Sequence, residues 1–276
     1  MSENALAFCH DLAAYLGRVL IASVHVAHDA HWQDAELRLY RGQAHLGIVC
    51  GLQYVLSADR GDMPGVDVIA APVMHAARYE NRPIYFSDVI VRRDNPARSL
   101  ADLRGCHWAV NEQTSHSGYA LPRFALASRG FTNGFFGKVT QSGAHLRSLE
   151  LLLAGSVDAT AIDSTVLEQE LRSRALLASE LRVADTLGPS PIPPLVISRS
   201  VSPSIRSALT RAVLEMHLDA AGAQILASAA IKGFVPATNA DYEAIRAMHR
   251  LASSVEPWPT PEPVIGGTAS AAKLRR

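Results

Sequence analysis

Apolar and polar positions along the chain follow two different rhythms. Apolar side chains recur at helical spacing over residues 6–19, which predicts an amphipathic helix. Residues 24–26 should then form a short strand, and residues 32–40 a second helix. Residues 45–50 are predicted to form a buried strand, residues 66–73 another strand, and the strongly β-prone residues 84–92 a further one.

The middle of the chain repeats one unit, a strand followed by a helix. The predicted strands cover residues 107–111, 137–141 and 159–163, and a predicted helix follows each of them. Strands that alternate with helices in this way form a mainly parallel sheet that helices cover on both faces. The pattern therefore predicts an α/β fold.

A segment rich in glycine and proline at residues 188–194 interrupts this repeat. It contains too many prolines for a central strand or a helix, so we interpret it as a connector between two lobes. A strand and further helices follow it, to about residue 251. We expect one lobe to contain residues 1–88 and 190–252, and the other to contain residues 89–189.

The C-terminal residues differ in composition from the rest of the chain. Residues 253–276 contain four prolines, a Gly-Gly pair and the basic end Lys-Leu-Arg-Arg. This composition is typical of disordered termini. We therefore expect residues 253–276 to form a disordered tail.

The overall composition is that of a globular protein with balanced charges. Hydrophobic residues make up 48% of the 276 residues and charged residues 19%, which suits a full core and excludes a disordered chain. The 26 basic and 26 acidic residues leave no net charge. Without a basic excess, nucleic acid is not expected as the main partner. Any selectivity for a charged ligand must come from local groups.

The cysteines and the N-terminus carry no special signal. Cys9, Cys50 and Cys106 are widely spaced and form neither a zinc-type motif nor a disulfide framework. No run of about eighteen apolar residues is present, so we predict no transmembrane segment. The first twenty residues lack the basic and apolar regions of a secretory signal peptide.

Polar residues follow the predicted strands of the middle region, where ligands of open α/β sheets usually bind. Thr114, Ser115, His116 and Ser117 precede a helix whose N-terminus offers free N–H groups and a partial positive charge. These groups suit the oxygens of a small anion, and Gly118 removes a side chain where a ligand would approach. The same residues can instead serve only as the N-cap of the helix.

Four further side chains have both a binding and a structural interpretation. His145 occupies an equivalent turn after the next strand, where it either binds a ligand or is a polar surface or cap residue. Asp163 ends the third strand. It either caps the following helix, accepts a hydrogen bond from a protonated oxyanion, or pairs with an amine of the ligand. Tyr54 and Tyr85 either belong to the core or line a cleft.

An enzyme is the competing class of function, because Ser, His and Asp all occur at these turns. Ser115 and His116 are adjacent, but the sequence has no Gly-x-Ser-x-Gly, P-loop, GxGxxG or HExxH motif. A catalytic triad is recognised by its geometry, which the sequence does not give. We therefore assign no catalytic residue and expect neither a cofactor nor a metal.

Six segments occur in the order found in a known family. They are "GIVCGLQYV", "RPIYFSDVIVRRD", "SLADLRG", "NEQTSHSGY", "SGAHLRSLELLLAGSVDATAIDS" and "LGPSPIPP". Over residues 5–250 the chain resembles the phosphate, phosphite and phosphonate substrate-binding proteins of ABC transporters, often called PhnD-like. Members begin with a strand ahead of the first helix, so we expect a chain extended upstream by one strand to be more stable.

The resemblance implies a type II periplasmic-binding-protein fold, in which two crossing strands join two α/β lobes and the ligand sits between them. It also implies a small oxyanion as ligand, an ABC permease as partner and a periplasmic or membrane-associated location. In this family the Ser-x-Ser-Gly turn holds the oxyanion, and His116 stands where many members have threonine. The residues that the resemblance places at the ligand are Tyr54, Tyr85, Ser115, His116, Ser117, His145 and Asp163.

Two other functions remain open on the same fold. One is a ligand-sensing regulatory module, and the other is an enzyme of cofactor biosynthesis. Because the sequence shows no export signal, a cytoplasmic location is also open.

Overall fold

The structure of the protein, a computed structural model, describes residues 5–27, 32–61, 65–255, 258–259 and 261–263. Two β-sheets lie at its centre, and helices pack against them. The helices are α1 Leu6–Leu20, α2 Trp32–Tyr40, α3 Gly51–Arg60, α4 Leu121–Ser128, α5 His145–Leu153, α6 Ser164–Ser173, α7 Leu177–Glu180, α8 Pro203–Leu214, α9 Ala220–Ser228 and α10 Glu243–Ser253. The strands are β1 Leu46–Ile48, β2 Val66–Met74, β3 Ile84–Arg92, β4 His107–Val110, β5 Lys138–Gln141, β6 Ala159–Asp163, β7 Leu181–Pro191, β8 Leu195–Ser198, β9 Ile231–Pro236 and β10 Glu262–Pro263.

The first sheet contains β1, β8, β2 and β9 in that order, and each neighbouring pair is antiparallel. The chain returns from the second sheet as β8 and inserts between β1 and β2, where Val196 pairs with both Gly47 and Val68. β1 and β2 therefore run in the same direction, but the reversed strand β8 separates them. The prediction of a mainly parallel sheet is wrong for this sheet.

The second sheet has the order β10, β5, β4, β6, β3 and β7. β4 is parallel to both β5 and β6, as the strand–helix repeat predicts. β3 is antiparallel to β6 and β7, so the sheet as a whole is mixed. The three strands predicted in the middle of the chain are present as β4, β5 and β6.

Strands β3 and β7 connect the two sheets. They pair along their lengths, beginning with Ile84 opposite Pro191. Tyr85, near one end of this ladder, belongs to the core of the first sheet, whereas Val89 belongs to the core of the second. These are the two crossing strands that the resemblance implies. The predicted lobe boundaries, near residues 88 and 190, stay a prediction.

Three local predictions need correction. The helices predicted up to about residue 251 are interrupted by strand β9, which pairs with β2. Residues 24–26 form no strand: Val24 packs against the core of the first sheet, but no neighbouring strand pairs with it. The proline-rich segment does not stop the strand before it, because β7 continues through Pro191. β7 is an edge strand, and an edge strand tolerates proline because one of its sides needs no hydrogen-bond partner.

The expected disordered tail is wrong for the residues described there. α10 continues to Ser253, Trp258 is 6% exposed, and β10 pairs in parallel with β5. The Trp258 indole lies 4.9–6.0 Å, centroid to centroid, from three rings of the second sheet, those of Trp108, Tyr119 and Phe136. Composition alone could not reveal this anchor, because the aromatic cluster forms only in the folded chain. Residues 256, 257, 260 and 264–276 of the predicted tail lie outside the described residues.

Candidate functional site

Ser115 begins the helical turn that follows β4. Its Oγ accepts a hydrogen bond from the Gly118 backbone N–H at 3.1 Å, so this side chain caps the turn His116–Ala120. The turn is π-helical and continues into α4, and such wide turns are frequent at functional sites. Ser115 is therefore a cap, while its hydroxyl hydrogen stays available to an acceptor.

Ser117 and His145 lie together, which the sequence alone could only suggest. Ser117 Oγ is 3.1 Å from His145 Nε2, at the start of α5. The Ser117 carbonyl accepts a hydrogen bond from Ser87 Oγ on β3 at 2.6 Å. The turn after β4, the turn after β5 and a crossing strand therefore meet at one point.

Tyr85 lies near the same point, on β3. Its side chain is 1% exposed, and burial raises the pKa of its phenol well above the ordinary value. Asp163 and Ser117 are among the groups that act on this hydroxyl. Tyr85 therefore keeps its proton at physiological pH and can donate it in a hydrogen bond.

Asp163 ends β6 and caps α6. Its Oδ1 accepts hydrogen bonds from the Thr165 backbone N–H at 2.8 Å and from the Thr165 hydroxyl at 2.7 Å. Burial raises the pKa of the Asp163 carboxyl to about 6, although the bonds from Thr165 act in the opposite direction. The structural interpretation of Asp163 as a cap is realised, and the same carboxyl gains or loses its proton not far below neutral pH.

His116 is fully buried and connects the turn to β7 and to the start of α3. Its Nε2 lies 2.8 Å from Ser190 Oγ on β7, and its backbone N–H donates to Cys50 Sγ at 3.4 Å. Burial lowers the pKa of the His116 imidazole to about 3, so the ring is neutral at pH 7. His116 therefore brings no positive charge to an anion.

Polar atoms of Asn111, His116 and His145 are buried here without a hydrogen-bond partner among the described residues. They are Asn111 Oδ1, His116 Nδ1 and His145 Nδ1. Burial lowers the pKa of the His145 imidazole to about 4, so this ring is also neutral, with one donor and one acceptor nitrogen. Because buried polar groups nearly always have partners, the cluster indicates a site that a ligand completes.

Asn111 was not among the predicted site residues. It directly follows β4, at the end of the strand where ligands of such sheets bind, and this position is the signal that could have identified it. Because Gly118 has no side chain, the Asn111 side chain can lie close to the backbone of the turn. A Cβ on Gly118 would lie 1.9 Å from Asn111 Oδ1 and 3.3 Å from His145 Cε1. Any other residue at position 118 would push these two side chains apart.

The Tyr54 hydroxyl forms its hydrogen bond outside this cluster. Its hydroxyl donates to Asn239 Oδ1 at 2.9 Å, and the ring lines a separate cavity of about 230 Å³. That cavity is bordered by two ion pairs, Arg246 with Asp59 and Arg199 with Asp67. The structure does not bring Tyr54 to Ser117, and its role at the ligand stays a prediction.

The site contains neutral donors and one acid. In the part of the chain that the structure describes, no lysine or arginine is bonded to Ser115, Ser117, His145 or Asp163. An anion in this position would be held by hydrogen bonds from neutral hydroxyl, imidazole and backbone groups. Its own charge would lie close to the Asp163 carboxyl.

The family of ABC-transporter phosphonate periplasmic substrate-binding proteins has a sequence model that matches residues 2–242. The chain belongs to this family. The match covers every strand of both sheets except β10, and it covers all the predicted site residues. Within the described ranges, no helix combines the length and the apolar character needed to cross a bilayer.

Solved structures share the fold at low sequence identity. A binding-protein component of an ABC phosphonate transporter from Pseudomonas aeruginosa is 16% identical, with a TM-score of 0.79 over 92% of this chain and 83% of that one. PhnD1 from Prochlorococcus marinus, solved with methylphosphonate, is 19% identical, with a TM-score of 0.79 over 92% and 94%. A Xanthomonas citri protein solved with ATP is 18% identical, with a TM-score of 0.64 over 92% and 95%. These likenesses confirm the predicted two-lobed binding-protein fold.

Proposed function

We propose that this protein captures a small oxyanion, such as phosphate, phosphite or a phosphonate, between its two lobes and presents it to an ABC permease. Membership of the phosphonate-binding family supports this function. PhnD1, which shares the fold, was solved with methylphosphonate, so methylphosphonate is the first ligand to test. The observation that carries the proposal is the pair of buried, unpartnered atoms on Asn111 and His145 beside Ser117.

The donors of the site would surround the oxygens of the ligand. The Ser115, Ser117 and Tyr85 hydroxyls each have a hydrogen to donate, and the turn His116–Ala120 adds backbone N–H groups. If the Nε2–H tautomer of His145 donates to Ser117 Oγ, the Ser117 hydrogen is directed to the ligand. The unpartnered Nδ1 of His145 can then accept a hydrogen bond from a protonated ligand oxygen.

Asp163 would favour a ligand that still carries a proton or an amine. Two close negative charges are costly where water is excluded, and one of them then tends to take up a proton. The raised pKa of Asp163, about 6, supports this interpretation, because the carboxyl already disfavours its ionised form. A fully ionised oxyanion would add a second negative charge.

Opening and closing would take place about the crossing strands. We infer that residues 1–88 and 190–252 form one lobe and residues 89–189 the other, with β3 and β7 as the hinge. The change from the first core at Tyr85 to the second core at Val89 supports a boundary on β3.

The family consists of substrate-binding transport proteins, and we propose no catalytic step for this chain. A periplasmic location and an ABC permease as partner are the family's usual setting, and we propose both here. No contact in the structure favours the sensor or the cofactor-biosynthesis enzyme over this function.

A thermal-shift screen tests the proposal. The panel contains methylphosphonate, phosphate, phosphite, sulfate and an aminoalkylphosphonate. A ligand present at about 100 times its Kd should stabilise the protein by about 2.7 kcal/mol, which raises the melting temperature by several degrees. Stabilisation by at least one phosphorus oxyanion is expected. No shift with any phosphorus compound would contradict the proposed function.

A further inference from the structure

Three polar side chains form a row of hydrogen bonds from α2 and α3 to the turn after β4. Gln53, in the first turn of α3, lies between Glu36 on α2 and Thr114. One end of the Gln53 amide is 2.9 Å and 2.5 Å from the two carboxyl oxygens of Glu36. The other end is 3.2 Å from Thr114 Oγ1. The three side chains therefore link the two halves of the molecule directly beside Ser115.

A second contact holds the same two segments together. The Cys50 thiol, just before α3, donates to the Thr114 carbonyl at 3.9 Å and accepts the His116 backbone N–H at 3.4 Å. The start of α3 is therefore pressed against the proposed anion-binding turn. A change in the protonation of Glu36 can therefore affect that turn through two hydrogen bonds, by way of Gln53 and Thr114.

The direction of the hydrogen bonds in this chain depends on the protonation of Glu36. An ionised carboxyl only accepts, so the amide nitrogen of Gln53 must face Glu36 and its oxygen must accept the Thr114 hydroxyl hydrogen. A protonated Glu36 can donate to the amide oxygen. The Gln53 nitrogen then donates to Thr114 Oγ1, and the Thr114 hydrogen is released for another acceptor.

The surroundings of Glu36 raise the pKa of its carboxyl towards neutral pH. Burial raises the pKa of the Glu36 carboxyl to about 7, and the nearby Tyr40 hydroxyl only partly offsets this rise. Glu112 also faces Glu36 and raises its pKa further. Burial raises the pKa of Tyr40 and of Cys50 as well, so both neighbours stay neutral.

We propose that Glu36 is a positioning residue that couples anion binding to the uptake of a proton, acting through Gln53 and Thr114. The proton turns the Thr114 hydroxyl from a donor to Gln53 into a donor towards the anion. Binding therefore selects the protonated form, and affinity falls as the pH rises through 7. This inference rests on the proposed function and adds a pH response that Asp163 does not supply.

Calorimetry with methylphosphonate at pH 7, in two buffers of different ionisation enthalpy, counts the protons taken up on binding. Because Glu36 is about half ionised in the free protein at pH 7, it should account for roughly half a proton taken up per ligand bound. Glu36→Gln imitates the protonated acid, so this share should disappear. The ionisation of methylphosphonate and of Asp163 contributes in both proteins and cancels in the comparison.

The pH dependence of the affinity is an independent test. The inference predicts tighter binding by the variant at high pH, whereas a structural defect would weaken binding. At pH 5.5 the Glu36→Gln variant and the wild type should bind equally. At pH 8.5 the variant should bind more tightly, by several-fold and by no more than about thirtyfold. A residue with a merely structural role would weaken binding at both pH values when replaced. Glu112→Gln is the matched control. It keeps Glu36 and removes only an acid that raises the Glu36 pKa, so the fall in affinity should remain and should move to lower pH.

A double-mutant cycle with Thr114→Val separates the hydrogen-bond chain from charge alone. Without the Thr114 hydroxyl, replacing Glu36 should no longer tighten binding at pH 8.5. Tightening that persists in the Thr114→Val background, or an equal proton count in wild type and Glu36→Gln, would overturn the inference. These outcomes require that wild type binds methylphosphonate, whereas failure of the proposed function would appear as no binding at all.

Discussion

Adjacent residues of the crossing strand β3 belong to two buried polar groups that differ in their hydrogen bonding. Asp88 is fully buried, and its carboxylate accepts hydrogen bonds from Arg78 at 2.8 and 2.9 Å and from the Thr186 hydroxyl at 2.9 Å. Ser87 points to the other face, where it bonds to Ser117 beside the unpartnered atoms.

The difference between the two groups indicates what each of them does. A buried charge with a complete set of partners holds the fold, since any loss of a partner leaves an uncompensated charge. Buried polar atoms without partners weaken the free protein and are satisfied only when a ligand arrives. Substitutions in the Asp88 group should therefore change stability, and substitutions in the Ser117 group should change affinity.

The largest effect is expected for Arg78→Met. It leaves the Asp88 carboxylate buried without its cation, which should lower the free energy of unfolding by about 3–5 kcal/mol in urea titration. Arg82→Met is the control, because Arg82 forms an exposed pair with Glu80 that should contribute less than about 1 kcal/mol. Equal decreases in the free energy of unfolding of the two variants would contradict the claim that the buried Asp88 group stabilises the fold.

Ser117→Ala should act on binding. Loss of a hydrogen bond to a charged ligand costs about 1.5–3 kcal/mol, or roughly tenfold or more in the Kd for methylphosphonate. The free energy of unfolding should fall by only about 1 kcal/mol, because His145 Nε2 loses its partner, and the protein should stay folded. Ser115→Ala should also weaken binding, but it removes a helix cap and should lower stability by about 1 kcal/mol. Unchanged affinity in both variants by calorimetry would contradict the site.

Asp163→Asn should change how the affinity for methylphosphonate depends on pH. As the pH rises through about 6, Asp163 becomes ionised and methylphosphonate binding should weaken. Asparagine keeps the helix cap and cannot ionise, so this limb of the profile should flatten, while the limb near pH 7 assigned to Glu36 remains. With an aminoalkylphosphonate the same variant should lose affinity wherever the amine is charged. A variant identical to wild type with both ligands would leave Asp163 only as a cap.

The smallest effect distinguishes the two tyrosines. Tyr85→Phe removes a hydroxyl near Ser117 and should weaken methylphosphonate binding about fivefold, or about 1 kcal/mol. Tyr54→Phe removes a hydroxyl that is bonded to Asn239 and should leave the affinity unchanged. The opposite order of effects would mean that Tyr54 reaches the ligand, as the family resemblance implies.

The sequence predicts the three strands β4, β5 and β6 well and the strand order of the first sheet poorly, for a physical reason. β4, β5 and β6 belong to consecutive strand–helix units whose apolar rhythm is local, so each can be predicted on its own. In the first sheet, β8 inserts between β1 and β2 from far along the chain. The direction and order of such distant pairs depend on the whole fold. Trp258 was missed for the same reason, because its aromatic partners are distant in sequence.

The candidate site shows the same limit. Strand ends identify Ser115, Ser117, His145 and Asp163, because the carboxyl ends of the strands are where ligands bind in open α/β sheets. The sequence could not show which of their atoms lack a partner. Asn111 and Glu36 were therefore missed, since only the folded structure reveals an unpartnered oxygen or a half-buried acid bonded to Gln53.

The most direct test of the central claim is a crystal structure with methylphosphonate bound. The account predicts the phosphonate oxygens within hydrogen-bonding distance of Ser117 Oγ and the Tyr85 hydroxyl, with the Asn111 and His145 side chains around the ligand. It also predicts that the cavity beside Tyr54 stays free of ligand. A phosphonate bound between Arg199 and Arg246 in that cavity, with Ser117 and His145 unchanged, would contradict the account.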